Sequence, residues 1–194
     1  MRSEDDVGRA LVHEDEAKLY AACAASRSPA LLPLFVLCLD AGLRATEAKT
    51  LRRGSLKLEW QDGVIVRGEL VVTNSKPEAG AGRKIPLSRR ACSVLTLWPS
   101  RFPAADQEAF VFPSHEIGFA GDGRGPLIYA VDFRIPLSEW KSAWYRALKE
   151  AGLKYRWHDL RHTFIIRLLE NPANTRRDGT RPCRPCKSQN DGAL

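Results

Sequence analysis

The chain has 194 residues, 44% of them hydrophobic, which suffices for one globular domain with its own core. Its 30 Lys and Arg outnumber 23 Asp and Glu, and the net charge of +7 favours a polyanionic partner. No apolar run approaches the roughly 20 residues that span a membrane, no secretory signal opens the chain, and its cysteines are scattered, so we expect a cytoplasmic protein without a membrane partner.

The first part of the chain predicts a pair of helices around a tight corner. A charged lead over residues 1–10 precedes a helix that begins near His13, and an apolar run over 30–39 predicts a second, buried helix. We expect Gly42 to stop that helix and Thr46 to cap the next one. Arg44 then lies in the corner and Glu47 in the following first turn, where it is placed to hold Arg44. The alternative is a surface arginine beside a routine helix start.

A hairpin is predicted next. Residues 63–66 and 70–72 have strand-like apolar patterns, and residues 83–87 fit a partner strand after a glycine-rich turn over 77–82. Lys76 stands where the outgoing strand meets this turn, so its ammonium group could extend into a groove beside the sheet. Without further context it is an ordinary turn lysine.

The second half predicts two more helices separated by an irregular stretch. Residues 88–98 fit a helix, residues 99–125 are rich in Gly and Pro, and residues 136–151 fit a helix with Trp140, Trp144 and Leu148 at a four-residue period. We interpret this stripe as core packing and not as a platform for stacking bases. The fold class is therefore mainly α with a small antiparallel β-sheet (α+β).

A further helix begins near residue 157 and carries His158 and Arg161 three positions apart, on one face. Leu160, Phe164 and Leu168 recur every four residues and are predicted to form its buried stripe. By itself a His-x-x-Arg pattern is weak, because a helix-start histidine followed by a solvated arginine is the more common explanation of it.

Three ordered motifs together resemble the catalytic domain of the tyrosine recombinases, the phage integrase family. They are Ala-Gly-Leu-Arg-Ala-Thr-Glu at 41–47, Ser-Lys at 75–76 followed by Gly-Arg-Lys-Ile-Pro-Leu at 82–87, and His-Asp-Leu-Arg-His-Thr-Phe at 158–164. The resemblance covers residues 11–172 and implies an integrase-like catalytic core that breaks and rejoins DNA through a phosphotyrosyl intermediate. It implies catalytic roles for Arg44, Lys76, His158 and Arg161, supporting roles for Glu47 and His162, and DNA contacts by Arg44, Lys76, Arg83, Lys84 and Arg161.

The chemistry of these residue types fits such a reaction. Attack on a phosphodiester builds negative charge on the non-bridging oxygens, and the forked donors of Arg44 and Arg161 suit that charge. The resemblance implies that His158 donates a hydrogen bond or assists proton transfer and that Lys76 protonates the leaving oxygen. No metal or other cofactor is expected, because the arginines supply positive charge and no dense carboxylate cluster lies near the motifs.

The end of the sequence departs from the family pattern. The family places another His or Trp and then the nucleophilic Tyr after this helix, whereas the four tyrosines here, at 20, 129, 145 and 155, all precede His158. Residues 173–194 are polar, basic and rich in Pro and Gly, which predicts a disordered tail. Cys183 and Cys186 have no second pair nearby that would complete a zinc site. We expect a frameshifted or truncated catalytic domain that also lacks the family's N-terminal DNA-clamping domain.

Two functional hypotheses follow. The first is a site-specific recombinase domain that binds duplex DNA and needs a nucleophile from elsewhere, for example from an intact recombinase protomer. The second is a non-catalytic DNA-binding remnant of a mobile element. A metal-dependent nuclease is a distant third, because the sequence shows no ligand cluster near the motifs.

Overall fold

The computed structural model describes residues 8–73, 82–102, 105–119 and 126–171. Lys76 and the tail over 173–194 therefore lie outside the described residues. Within the described ranges the chain forms six α-helices and five β-strands, which confirms the predicted α+β class. The helices are α1 (His13–Ala24), α2 (Leu31–Asp40), α3 (Ala45–Lys49), α4 (Arg89–Leu97), α5 (Lys141–Ala151) and α6 (Trp157–Glu170). None of them is long and apolar enough to cross a membrane.

The predicted apolar helix, α2, lies at the centre of the domain. Eight of its ten residues are buried, and α1, α3, α4 and α6 all pack against it. A helix that is apolar on every side stays out of water only when neighbours surround it, so the composition of α2 explains the arrangement of the other helices around it. On one side Phe35 stacks on Trp144 of α5 with 6.2 Å between the ring centroids.

The corner after α2 forms as predicted, but its capping residue differs. Gly42 adopts a positive φ of 60°, and α3 then begins with Arg44, not Thr46, at the N-cap position. The Glu47 carboxylate accepts a hydrogen bond from the Arg44 backbone N–H at 2.9 Å. Because this side chain satisfies the first N–H group of the turn from inside the helix, no hydroxyl cap is needed and Thr46 lies within the helix.

A three-stranded antiparallel sheet follows, with strand order β1-β2-β3. Its strands are β1 (Leu56–Gln61), β2 (Val64–Val71) and β3 (Lys84–Pro86). The predicted pairing of β2 with β3 is confirmed, whereas the two apolar runs at 63–66 and 70–72 belong to one strand and β1 was not predicted. β1 lies at the edge of the sheet, and three of its last four residues, Glu59, Trp60 and Gln61, are exposed. It therefore lacks the apolar alternation by which a strand is recognised in the sequence.

The stretch over 99–125 is less irregular than its Gly and Pro content predicted. Its second half enters β4 (Pro113–Phe119), which pairs with β5 (Pro126–Pro136) in a separate two-stranded ribbon. β5 ends at Pro136 and α5 starts only at Lys141, so the helix predicted over 136–151 begins later than expected. Alternating burial along β5 is interrupted at Ala130, whose φ is 48°, and this break obscures the strand pattern in the sequence.

The two C-terminal helices complete the core. Trp140, Trp144 and Leu148 are all buried, which confirms the interpretation of this stripe as packing. In α6, Leu160 is fully buried and Phe164 lies against Gly42, but Leu168 is 47% exposed, so the predicted stripe is wrong at its last position. Near the end of α6, Arg167 donates hydrogen bonds to the Leu11 carbonyl oxygen and to Glu16.

Candidate active site

A single buried carboxylate gathers the arginines of the predicted site. The Glu47 side chain is only 2% exposed, because the first turn of α3 directs it inward from the corner after α2. Its Oε1 accepts a hydrogen bond from Arg44 Nη1 at 2.8 Å, and its Oε2 accepts one from the Arg44 backbone. Both donors come from the same residue, so Glu47 fixes the Arg44 side chain and the helix start together.

Arg83 reaches the same carboxylate from the sheet. It precedes β3 directly, and its Nη2 and Nη1 donate to Glu47 Oε2 and Oε1 at 2.5 and 3.3 Å. This two-pronged contact ties the entrance of β3 to the corner that carries Arg44. This pairing was not predicted. Arg83 and Glu47 are 36 positions apart, and no local pattern in the sequence indicates that they meet.

Arg161 arrives from α6, the last described helix. Its Nη1 donates to the carbonyl oxygen of Gly42 and lies 3.9 Å from Glu47 Oε2. The side chain is 21% exposed, so it is not closed off from solvent. The left-handed turn at Gly42 thus supplies both the bend that places Arg44 and an acceptor for Arg161.

The resulting group of Arg44, Arg83, Arg161 and Glu47, here called the arginine cluster, carries three positive charges and one negative charge. Partial burial lowers the pKa of Arg161, the charges of Arg44 and Arg83 lower it further, and the Glu47 carboxylate acts in the opposite direction. Arginine nevertheless remains protonated in proteins, so the cluster is a fixed centre of positive charge. Such a centre favours oxyanions with several acceptor oxygens.

The two histidines of α6 occupy different environments. His158 is exposed and lies one turn before Arg161 on the same helix, so the two side chains are neighbours on the helix surface. His162 is half-buried and faces the N-terminal segment, where a Cβ on Gly8 would lie 2.9 Å from the imidazole Cγ. His158 therefore lies near Arg161 on α6, whereas His162 lies against Gly8 in the N-terminal segment.

The remaining predicted residues are placed less closely. Lys84 is exposed and is the first residue of β3, directly after Arg83. Successive side chains along a strand point to opposite faces of the sheet. Lys76 lies outside the described residues. In the described part of the chain, no group of three or more His, Cys, Asp or Glu side chains is placed to hold a metal ion.

All four tyrosines are described. Tyr155 is 6% exposed, and its hydroxyl donates to Asp15 Oδ2 at 2.6 Å, which ties the loop before α6 to α1. Burial raises the pKa of Tyr155, and the hydrogen bond with Asp15 adds to the effect. Tyr129 and Tyr145 are half or more exposed on β5 and α5, and Tyr20 packs against the core from α1.

Two further residues of α6 hold the helix in place. Asp159 accepts a hydrogen bond from the Arg156 backbone at 2.8 Å and caps the helix start, and Thr163 Oγ1 accepts one from the Leu11 backbone at 2.9 Å. Neither was singled out from the sequence. The acidic residue at the third helical position is a recognisable capping signal, whereas the contact of Thr163 with Leu11 spans 152 positions and has none.

Comparisons with known proteins agree with this geometry. Residues 9–177 match the sequence model of the Phage integrase family. XerA recombinase matches 89% of this chain and 53% of its own at 16% identity and a TM-score of 0.57. The integrase of transposon Tn1549, determined with a circular intermediate DNA, matches 87% and 55% at 18% identity and a TM-score of 0.55. A search of curated proteins by sequence found no match.

The catalytic core of lambda integrase gives a further comparison, with 86% of each chain covered, 16% identity and a TM-score of 0.50. At these identities the similarity concerns the fold. The chain spans about half the length of the XerA and Tn1549 integrase chains that it matches.

Proposed function

The chain belongs to the phage integrase family, and from that premise we propose that it is the catalytic domain of a site-specific DNA recombinase that holds the scissile phosphate in its arginine cluster. One observation carries this proposal: Arg44 and Arg161 are far apart in the sequence, yet both are held at one buried carboxylate. The three guanidiniums of the cluster exceed the charge of the one carboxylate that holds them. A phosphodiester that gains negative charge as it is attacked has use for them.

The proposed roles follow from position. Arg44 and Arg161 donate hydrogen bonds to the non-bridging phosphate oxygens, and Glu47 holds both in place. His158, exposed one turn before Arg161, donates to the same phosphate or relays a proton. Lys76 is proposed as the general acid for the leaving oxygen, with His162 supporting α6 and with Arg83 and Lys84 contacting DNA. The partner is duplex DNA in the cytoplasm.

The nucleophile distinguishes two versions of this function. Tyr155 is committed to Asp15, and none of the tyrosines is hydrogen-bonded to the arginine cluster within the described residues. In the first version a tyrosine from an intact recombinase protomer attacks the phosphate held here. In the second version the domain binds DNA without cleaving it, as a remnant of a mobile element.

DNA binding tests the proposal directly. Anisotropy titrations of a labelled duplex at several salt concentrations should show weak binding that falls steeply with salt, because phosphate contacts dominate. Arg161→Gln should weaken binding and reduce the logarithmic salt slope by about 0.9, the value of one lost phosphate contact. Arg101→Gln, which removes an exposed arginine from the turn after α4, is the matched control. No binding at low salt, or identical slopes for the two variants, would exclude the cluster as a DNA site.

A suicide substrate separates the two versions. The chain alone should give no covalent adduct on a denaturing gel. The chain is then mixed with a recombinase protomer that keeps its tyrosine but whose counterparts of Arg44 and Arg161 are inactivated. In the first version this mixture should form the adduct. In the second version it should not. An adduct of the chain alone that disappears in Tyr145→Phe would show that this exposed tyrosine is the nucleophile.

A further inference from the structure

We propose that Arg83 is a third guanidinium of the phosphate site and contacts the same phosphate as Arg44 and Arg161. This inference rests on the proposed function and makes it more specific: Arg83 is assigned to the scissile phosphate itself and not to the DNA backbone at large. The ligand class is a tetrahedral oxyanion, either a phosphodiester in DNA or free inorganic phosphate.

The first argument is geometric. Arg44 Nη1 and Arg83 Nη1 donate to the same oxygen, Glu47 Oε1, at 2.8 and 3.3 Å. Two donors that share one acceptor are close neighbours. Arg83 Nη2 donates to Oε2, the oxygen that Arg161 approaches to 3.9 Å. Arg83 thus shares one carboxylate oxygen with Arg44 and lies at the other together with Arg161, so the three guanidiniums converge on one carboxylate.

The second argument is burial. The side chains of Arg161, Arg83 and Arg44 are 21%, 27% and 33% exposed, while that of Glu47 is 2% exposed. The carboxylate is thus almost fully buried, whereas all three arginine side chains are partly exposed, Arg83 to a degree between the other two.

Charge supports the same assignment. Arg83 by itself matches Glu47 with two hydrogen bonds. Arg44 and Arg161 lie at the same carboxylate, so three positive charges meet around one negative charge. Their mutual repulsion is felt at Arg161, whose pKa is lowered first by burial and then by Arg44 and Arg83. A bound oxyanion would offset that excess, which is the behaviour of a preorganised anion site.

The direct test observes the arginine side chains of the unaltered protein. Inorganic phosphate is titrated while nuclear magnetic resonance records the Nε–Hε signals of Arg44, Arg83, Arg161 and Arg101. We expect the first three to shift with one common dissociation constant and Arg101 to stay unchanged. A titration in which Arg44 and Arg161 shift and Arg83 does not, or in which none of the three shifts, overturns the proposal.

Variants add an energetic readout. Arg83→Gln should bind phosphate about tenfold more weakly, because a charge-assisted hydrogen bond is lost. Arg83→Lys, which keeps the charge without the fork, should bind with intermediate affinity. A thermal melt without phosphate reports folding separately. If Arg83→Gln melts earlier but binds phosphate as the wild type does, Arg83 is a purely structural partner of Glu47 and the inference is wrong.

The outcome for DNA is separable from the outcome for Arg83. A wild-type protein that shows the common phosphate titration but binds no duplex at low salt would retain the three-arginine anion site and lose the proposed recombinase function. If the wild-type protein binds duplex and the Arg83→Gln variant binds it with the same salt slope, the proposed function stands and the assignment of Arg83 to the phosphate is wrong.

Discussion

Gly42 concentrates several structural requirements in one residue. Its φ of 60° makes the turn between α2 and α3, and its carbonyl oxygen accepts the hydrogen bond from Arg161. A Cβ at this position would lie 2.3 Å from Cδ1 of Phe164, so the ring of α6 packs directly on the glycine backbone. The arginine cluster therefore depends on a residue without a side chain at the corner.

Gly42→Ala should lower the free energy of unfolding by about 2–4 kcal/mol, because a positive φ and a steric clash with the partly buried ring of Phe164 both oppose it. Chemical denaturation measures the change. Gly63→Ala is the matched control: its φ is 78°, but nothing lies within 4 Å of an added Cβ. It should cost only about 1 kcal/mol for the backbone conformation. Equal losses in the two variants would show that Phe164 relaxes away from Gly42.

At the scale of elements, the N-terminal segment over residues 8–12 is bound along α6. The Leu11 backbone donates to Thr163 Oγ1 at 2.9 Å, and Thr163 in turn donates to the Asp159 carbonyl at 2.7 Å. The Arg9 guanidinium lies 5.3 Å from the centroid of the Tyr155 ring. The segment that enters the domain is thus fastened to the helix that carries His158 and Arg161.

Thr163→Val keeps the shape of this fully buried side chain but removes the acceptor of the Leu11 backbone N–H. It should cost about 1–3 kcal/mol, the penalty for leaving a buried donor unsatisfied. Hydrogen exchange at the Leu11 amide should accelerate by more than exchange in the middle of α2. Thr163→Ser retains the hydroxyl and should restore slow exchange at Leu11. An unchanged Leu11 amide in Thr163→Val would mean that the segment is held by its other contacts.

A second group of charged side chains connects α1, α2, α4 and α6. Glu16 is 5% exposed and accepts from Arg90 and Arg167 at 2.6 and 2.5 Å, and Arg90 also donates to Asp40. Burial alone would raise the pKa of Glu16, but the hydrogen bonds from Arg167 and Arg90 outweigh it and the pKa lies below the usual 4.5. The carboxylate is therefore ionised in the folded protein.

This depressed pKa predicts a pH dependence of stability. The contribution of Glu16 is fully present above its unfolded pKa and is lost as the pH falls through its lower folded pKa. Glu16→Gln should therefore be less stable than the wild type by about 1–3 kcal/mol at pH 7, and the difference should shrink below the usual value of 4.5. Glu14→Gln, at an exposed ion pair on the same helix, should show a small difference at all pH values. A constant gap for Glu16→Gln would contradict the assignment.

At the scale of the whole molecule, one continuous core connects the helices. Cys23 of α1, Cys38 of α2 and Cys92 of α4 are all buried members of this core. Burial raises the pKa of Cys23 and of Cys38 to about 12. A thiol that is both inaccessible and protonated does not react, so each of these residues reports the opening of its own helix.

We expect the three thiols to become reactive together. Labelling with a thiol reagent at increasing denaturant, followed by mass spectrometry of the labelled peptides, gives an opening free energy for each cysteine. Equal values that match global unfolding would show one cooperative unit. A lower value at Cys92 alone would indicate that α4 and the sheet packed against it open before the helices around α2.

Much of the helical framework follows from local patterns in the sequence. The sequence predicted all six helices, although α5 begins at Lys141 and not at residue 136, and Ser88 caps α4. The pairing of β2 with β3 was also predicted. The ribbon of β4 and β5 was not, because a bulge and a left-handed Ala130 break the alternation on which strand prediction relies.

The sequence by itself therefore determined the fold class, the motifs of the family and the chemical types available at the site, since all of these depend on residues close together in the chain. Only the tertiary structure decided that Arg44, Arg83 and Arg161 meet at one carboxylate. It also decided that Leu168 is 47% exposed and not part of the buried stripe of α6. The physical reason is range. Periodicity reports which face of an element is apolar, but which distant element covers that face, and which charges meet there, is settled by packing across the whole domain.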